Sequence, residues 1–251
     1  MTPARVGGGR VSHPRPGTAT PLGTVLIVDD HELVGSSLAL ALRAEGEPAT
    51  FRPAHTPVDV HRAVAGAEPG LLVLDLDLGR DAEGRRIDTI PLVPGLRAQG
   101  WRVLVLSGSS SPTRVGAALH HGGFTWVSRT ASMPALVLAV REARAGRSLL
   151  HAARRDELVQ RYLEWDRRQR AVRGRLATLT RREREVLELL AGGVRAHAIA
   201  EHFVVSLPTV RTQVRAVLAK LDVGSQLEAV ALVRSVDATD DTPGGMLPWV
   251  R

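Results

Sequence analysis

The chain has 251 residues, 44% hydrophobic and 24% charged, with a net charge of +7 and no cysteine. That balance suits a folded globular protein of about two domains, and the missing thiols exclude disulfides and thiolate metal sites. No apolar run approaches the ~18 residues of a membrane span, and the N-terminus lacks the apolar core of a signal peptide, so no membrane partner and a cytoplasmic location are expected.

Residues 1–21, with three consecutive Gly and four Pro, cannot form a core and are expected to be a disordered tail. Folded structure is expected from Thr24. Val25–Val28 is a short apolar run ending in Asp29-Asp30, the pattern of a buried strand that leads into an acidic turn. Leu33–Glu45 has helical spacing and stops at Gly46, and a second helix is expected over Val58–Ala65. Leu71–Leu74 is another buried strand, ending in Asp75. Residues 79–88 are polar and contain Gly, which predicts a loop, and Pro91 and Pro94 weaken a helix near 89–98. Val103–Leu106 is a third strand, followed by Ser107-Gly108. A helix over Thr113–His121, a short strand Thr125–Val127 and a helix from Ser132, read as its cap, to Ala145 complete this half. Short apolar strands alternating with helices predict a parallel sheet covered on both faces.

Residues 152–175 differ in kind, with eight Arg against four acidic residues. Leu158, Tyr162, Trp165, Gln169, Val172 and Leu176 recur at heptad-like spacing, which fits either a linker helix lying on its own domain or a short dimerising helix. Thr180 and Glu183 stand at capping-box spacing before the helical Thr180–Leu190, which Gly192-Gly193 ends. A short helix, Ala196–Phe203, precedes Ser206–Leu221. In that stretch Ser206 can cap, Pro208 lies in the first turn, and Val210, Val214, Val217, Leu218 and Leu221 form one apolar face. Arg211, Thr212 and Arg215 fall on the other side and can reach base edges or phosphates, so the stretch reads as a DNA recognition helix. Ser225 and Glu228 suggest a second capping box for a last helix, and residues 237–251 are expected to be a flexible tail.

In a doubly wound sheet, ligands bind outside the carboxyl ends of the strands. Asp29, Asp30 and Asp75 are all placed there and would make an oxygen-only pocket suited to Mg²⁺, in which a carboxylate could also attack phosphorus.

VLIVDDHELV, LLVLDLDLG, VLVLSG and GGFTWVSRT resemble the receiver domain of bacterial two-component response regulators. LTRREREVLELLAGG, AIAEHF and SLPTVRTQVRAVLAKLDV resemble the LuxR-type helix-turn-helix, and the order resembles the NarL/FixJ family. The resemblance implies an α/β doubly wound parallel five-stranded receiver domain over 22–150, a helical linker over 151–175 and a small all-α helix-turn-helix domain over 176–236. It also implies a transcription factor, rather than an enzyme, that is phosphorylated by a sensor histidine kinase and binds double-stranded DNA as a homodimer through its last helix. Asp75 matches the phospho-acceptor. Asp29 and Asp30 match the Mg²⁺-holding pair, with the main-chain carbonyl of Asp77 as a further ligand. Ser107 matches the switch hydroxyl and Trp126 the switch aromatic. Ser206 and Thr209 match phosphate-contacting positions, and Arg211, Thr212, Gln213 and Arg215 groove-facing ones, with Gln213 in place of the usual His.

Three departures stand out. Arg129 occupies the position of a receiver Lys, Gly108 that of a commoner Ala, and the loop after Asp75 lacks the usual Pro and is about one residue longer. They leave open a degenerate receiver controlled without phosphate. Asp75-Leu76-Asp77 also resembles the haloacid-dehalogenase phosphatase motif, but those enzymes need a catalytic Lys. The one Lys here, Lys220, lies in the recognition helix.

Overall fold

The computed structural model describes residues 23–108 and 111–237, so the expectations for residues 1–21 and for the tail beyond 237 lie outside it. The elements of the first unit are β1 (Val25–Asp29), α1 (Glu32–Ala44), β2 (Ala49–Pro53), α2 (Pro57–Ala65), β3 (Leu71–Asp75), β4 (Asp77–Arg80), β5 (Arg86–Asp88), a 3₁₀ turn (Ile90–Leu92), α3 (Val93–Ala98), β6 (Arg102–Ser107), α4 (Pro112–His120), β7 (Thr125–Ser128) and α5 (Met133–Arg144). Five strands form one sheet in the order β2-β1-β3-β6-β7, and every pairing is parallel.

Alternation along the strands builds a core on each face. Leu26, Val28, Leu72, Leu74, Val103 and Val105 point to the side of α2, α3 and α4, while Val25, Ile27, Leu71, Val73, Leu104 and Leu106 point to α1 and α5. Burial on both faces is why β1 and β3 read as unbroken apolar runs. The chain order reverses between β1 and β3, so the crevice that such sheets use for ligands opens at Asp29 and Asp75.

Several expectations need correction. β2 is a strand that the apolar pattern did not indicate, because it lies at the sheet edge with only Ala49 fully buried. Pro53 is tolerated at its end for the same reason. The loop expected over 79–88 is largely an antiparallel hairpin of β4 and β5. Its turn is closed by Asp81, whose Oδ1 accepts the amides of Glu83 at 3.0 Å and Arg85 at 2.8 Å, with Gly84 at φ +77°. Ser132 stands at the N-cap of α5, but its side chain caps nothing.

A continuous helix of 26 residues, α6 (Ala152–Ala177), leads to α7 (Arg181–Ala191), α8 (Ala196–His202), α9 (Leu207–Leu221) and α10 (Gln226–Asp237). The N-terminal half of α6 lies on α4, where Leu158 packs with Val115, Leu119 and Trp126. Arg155 donates to the carbonyls of Leu119, Gly123 and Phe124 at 2.9–3.1 Å, closing the C-terminal end of α4. The crossing is close enough that a Cβ on Gly116 would sit 2.0 Å from the Leu158 carbonyl oxygen. The other half of α6 belongs to the helical unit. Gln169 Nε2 donates to Ser235 O at 3.3 Å and Arg175 Nη1 to Leu221 O at 2.9 Å.

In the helical unit Thr180 and Glu183 form the expected capping box. Glu183 also takes Lys220 Nζ at 2.6 Å, which ties α9 to the start of α7 and holds the Glu183 carboxyl below its ordinary range. The second box is half formed: Ser225 Oγ accepts the Glu228 amide, but Glu228 reaches Gly224 N at 2.9 Å rather than the cap residue. Between α8 and α9 the chain turns through a Schellman motif, Val205 N to Ala200 O at 3.0 Å and Val204 N to Glu201 O at 3.1 Å. Its left-handed position is Val204, at φ +54° and 91% exposed. A β-branched residue is disfavoured there, and this one gains no burial in return.

Two consequences can be measured. Gly116→Ala is expected to cost about 1–3 kcal/mol, as overpacking does, and to sensitise α6 to protease. Urea unfolding and limited proteolysis indistinguishable from wild type would mean that α4 and α6 do not cross this closely. Val204→Gly is expected to raise stability by about 1 kcal/mol through relief of the left-handed strain, net of the added backbone entropy. A lowered urea midpoint would contradict this.

Candidate functional site

The parallel pairing of β1 with β3 brings Asp29 and Asp75 to adjacent strand ends, and both are fully buried. Asp30 follows at the pocket edge, and the His31 amide donates to Asp29 Oδ1 at 2.7 Å. Ligand atoms of Asp29, Asp30, His31 and Asp75 all lie within 4.8 Å of one another. Burial, and then the neighbouring Asp29, push the Asp75 carboxyl up to about 7. Burial likewise raises Asp29, against the His31 amide and Arg129, which lower it.

Arg129 follows β7, its amide held on Ser107 O at 2.9 Å. Its Nη1 donates to Asp75 Oδ2 at 2.5 Å and lies 3.8 Å from Oδ1 of both Asp29 and Asp30. The same nitrogen is 2.9 Å from His31 Nδ1, which is itself 2.5 Å from Asp30 Oδ1. The guanidinium therefore lies across the mouth of the acidic cluster. Ser107 is buried at the end of β6, beside the residue in register with Asp75. Trp126 sits on β7 beneath α4 and α6, its Nε1 buried with no hydrogen-bond partner.

The segment after Asp75 is braced from several sides. Thr89 Oγ1 donates to Asp75 O at 2.6 Å, and Arg114 spans Leu76 O at 3.2 Å and the Asp88 carboxylate at 3.3 Å. The Asp77 amide lies 3.4 Å from Asp75 Oδ1, while its carboxylate turns to Arg86 at 3.2 Å, which leaves only its main chain on the Asp75 side. The all-oxygen carboxylate set, with Asp29 Oδ2 buried and unpartnered, fits a small divalent cation. The lysine that the haloacid-dehalogenase motif calls for has no counterpart in this pocket among the described residues, Lys220 being paired with Glu183 in the helical unit.

On α9, Ser206 Oγ accepts the Thr209 amide at 3.3 Å and lies 2.8 Å from Thr209 Oγ1, so the two hydroxyls form the helix cap together. Arg211, Thr212 and Arg215 are exposed on one face, and Thr212 Oγ1 donates back to Pro208 O at 3.1 Å. Gln213 departs from this group: it is half-buried, with Oε1 shielded and unpartnered.

Sequence reasoning passed over His31, Thr89 and Arg114. Only His31 carried a signal, its position directly after the acidic pair. The braces from Thr89 and Arg114 span 14 and 38 residues and had none.

The GerE model, described as bacterial regulatory proteins of the luxR family, matches residues 177–233. Over 223 residues the chain is 30% identical to the DNA-binding transcriptional activator DevR/DosR of Mycobacterium tuberculosis, covering 88% of this chain and 97% of that one. It is 30% identical over 213 residues to the transcriptional activator protein ExaE of Pseudomonas putida, covering 83% and 94%. A solved structure of the Salmonella typhimurium RcsB response regulator aligns with 86% of this chain and 99% of its own at 21% identity, with a TM-score of 0.45.

Proposed function

Because the chain belongs to the NarL/FixJ family of two-component response regulators, which are DNA-binding transcriptional regulators, we propose that Asp75 is its phosphate acceptor and α9 its DNA-reading helix. The observation that carries this reading is the helix-turn-helix within the matched 177–233 segment, with Arg211, Thr212 and Arg215 exposed together on α9.

In the phosphoryl step an Asp75 carboxylate oxygen attacks the phosphorus of a phosphohistidine on a sensor kinase. The P–N bond breaks and its electron pair goes to the imidazole nitrogen. Attack needs the ionised carboxylate, and Arg129 at 2.5 Å opposes the burial that favours the neutral form. Asp29, Asp30 and the main-chain carbonyl of Asp77 would hold Mg²⁺, which supplies neutralisation of charge on the transferring group. The Ser107 hydroxyl would donate to the phosphate, and the Arg129 guanidinium would pass from Asp75 to the new phosphate oxygens as a charge-assisted donor. Trp126 would pass the change to α6. The chain itself turns over no substrate in this scheme and acts in the cytoplasm, and no helix among the described residues is long and apolar enough to cross a membrane.

On DNA, Ser206 and Thr209 lie at the start of α9, where backbone amides and the helix dipole favour a phosphate. Arg211, Thr212 and Arg215 would enter the major groove, with Gln213 a secondary contact at most, given its shielded Oε1. Pairing through α10 would place two such helices on successive half-sites. A second reading, control without phosphate, is favoured by one observation: a guanidinium already places a positive charge among the three carboxylates.

Incubation with acetyl phosphate and Mg²⁺ is expected to add one phosphoryl group to the wild type, seen by intact mass, and none to Asp75→Asn. An unmodified wild type would support phosphate-independent control. Arg215→Ala is expected to weaken operator binding by about 1–3 kcal/mol with relaxed base preference, read by fluorescence anisotropy at fixed salt. An isotherm equal to wild type would remove Arg215 from the interface.

A further inference from the structure

We propose that Arg129 is a resident cation of the acidic pocket, that Gly108 is the residue that admits it, and that a divalent cation binds only by displacing the guanidinium. The inference rests on the reading of Asp29, Asp30 and Asp75 as a metal-holding set.

A Cβ on residue 108 would fall 2.6 Å from Arg129 Nη2 and 3.2 Å from its Cζ and Nε. The two residues come from the ends of neighbouring strands, and the bond from the Arg129 amide to Ser107 O fixes their approach. The three atoms that a methyl group at 108 would meet first therefore all belong to the Arg129 side-chain head. They are the far end of a flexible side chain, which can swing away without disturbing the sheet. A bulky arginine at 129 and a bare backbone at 108 are thus one structural feature.

Three carboxylates within 4.8 Å of one another repel, and two of them are fully buried. Nη1 occupies the centre of that field, 2.5 Å from Asp75 and 3.8 Å from the other two carboxylates, with His31 beside it. Mg²⁺ needs its oxygens at about 2.0–2.1 Å in near-octahedral order. A guanidinium hydrogen-bonded to Asp75 Oδ2 holds one of those oxygens and fills the space in front of the others. Arginine stays charged and spreads its charge over a planar fork, so it leaves this place only by moving. The chain therefore carries its own competitor for the metal, and the metal concentration that opens Asp75 to phosphate is raised.

The test is direct metal binding by the full-length protein, with no phosphate present, read from the electron paramagnetic resonance signal of free Mn²⁺. Arg129→Ala is expected to bind Mn²⁺ roughly 10- to 100-fold more tightly than wild type, the range over which groups beside a metal site move its affinity. Gly108→Ala is expected to tighten binding in the Arg129 protein and to change nothing when added to Arg129→Lys. Equal or weaker affinity in Arg129→Ala overturns the proposal, as does a Gly108→Ala effect of the same size in both backgrounds. If no variant binds Mn²⁺, the metal reading of the pocket fails and the proposal with it. A protein that binds Mn²⁺ as expected but takes no phosphate from acetyl phosphate loses only the phosphorylation reading. Thermal unfolding of each variant confirms that affinities are compared between folded proteins.

Discussion

The first unit depends on how three crowded carboxylates are kept in a buried pocket. Asp29 and Asp75 lie at adjacent strand ends because β1 and β3 pair in parallel, and the same apolar strands that bury them remove the water that would stabilise their charge. Two things offset this cost. Backbone amides turn toward the carboxylates, the His31 amide at 2.7 Å being the clearest, and Arg129 supplies a full positive charge from β7. The amides are fixed by the turn, whereas the arginine is on a flexible stem. The pocket's electrostatic balance therefore resides mainly in one movable side chain.

Arg129 lies one residue beyond the end of β7, and Trp126 is on the same strand, three residues earlier. The Trp126 ring packs against the cluster of Val115, Leu119 and Leu158, so the strand that leads into the pocket's cation also touches α6. The indole Nε1 is buried without a partner, which marks this contact as less than fully settled by hydrogen bonding. These contacts make a physical chain from pocket to linker. They become a switch only if the strand has two arrangements that phosphate and DNA bias differently.

Much of the architecture was legible in the sequence because it follows from periodicity. Buried parallel strands read as apolar runs, and α7 and α9 announced themselves through hydroxyl caps with the right spacing. What escaped has a common cause. β2 is half exposed at an edge, so packing gives it no apolar signature. The β4–β5 hairpin is polar and is held by Asp81 and the Asp77–Arg86 pair, interactions that composition cannot distinguish from a loop. In the pocket, the acids were legible from their strand-end positions, and Arg129 and Gly108 as two separate oddities. Only the 2.6 Å at which a Cβ on residue 108 would meet Nη2 joins them.

The linker helix shows why release of the DNA-binding unit is a question about half a helix. At 1.5 Å per residue, the 26 residues of α6 span roughly 39 Å. Leu158 and Tyr162 are buried against the first unit, while Gln169 is buried with its amide on Ser235 O of the second. The second half of α6 is part of the helical unit's own fold, through Arg175 on Leu221 O and Leu176 in its core. Separation of the two units would therefore peel α6 from α4 and carry it away with α9 and α10. It would uncover Trp126 and the close approach at Gly116, not the core beneath α9. A helix that stays intact through such a change transmits rotation as well as distance, so the orientation of α9 would be set by where α6 next comes to rest.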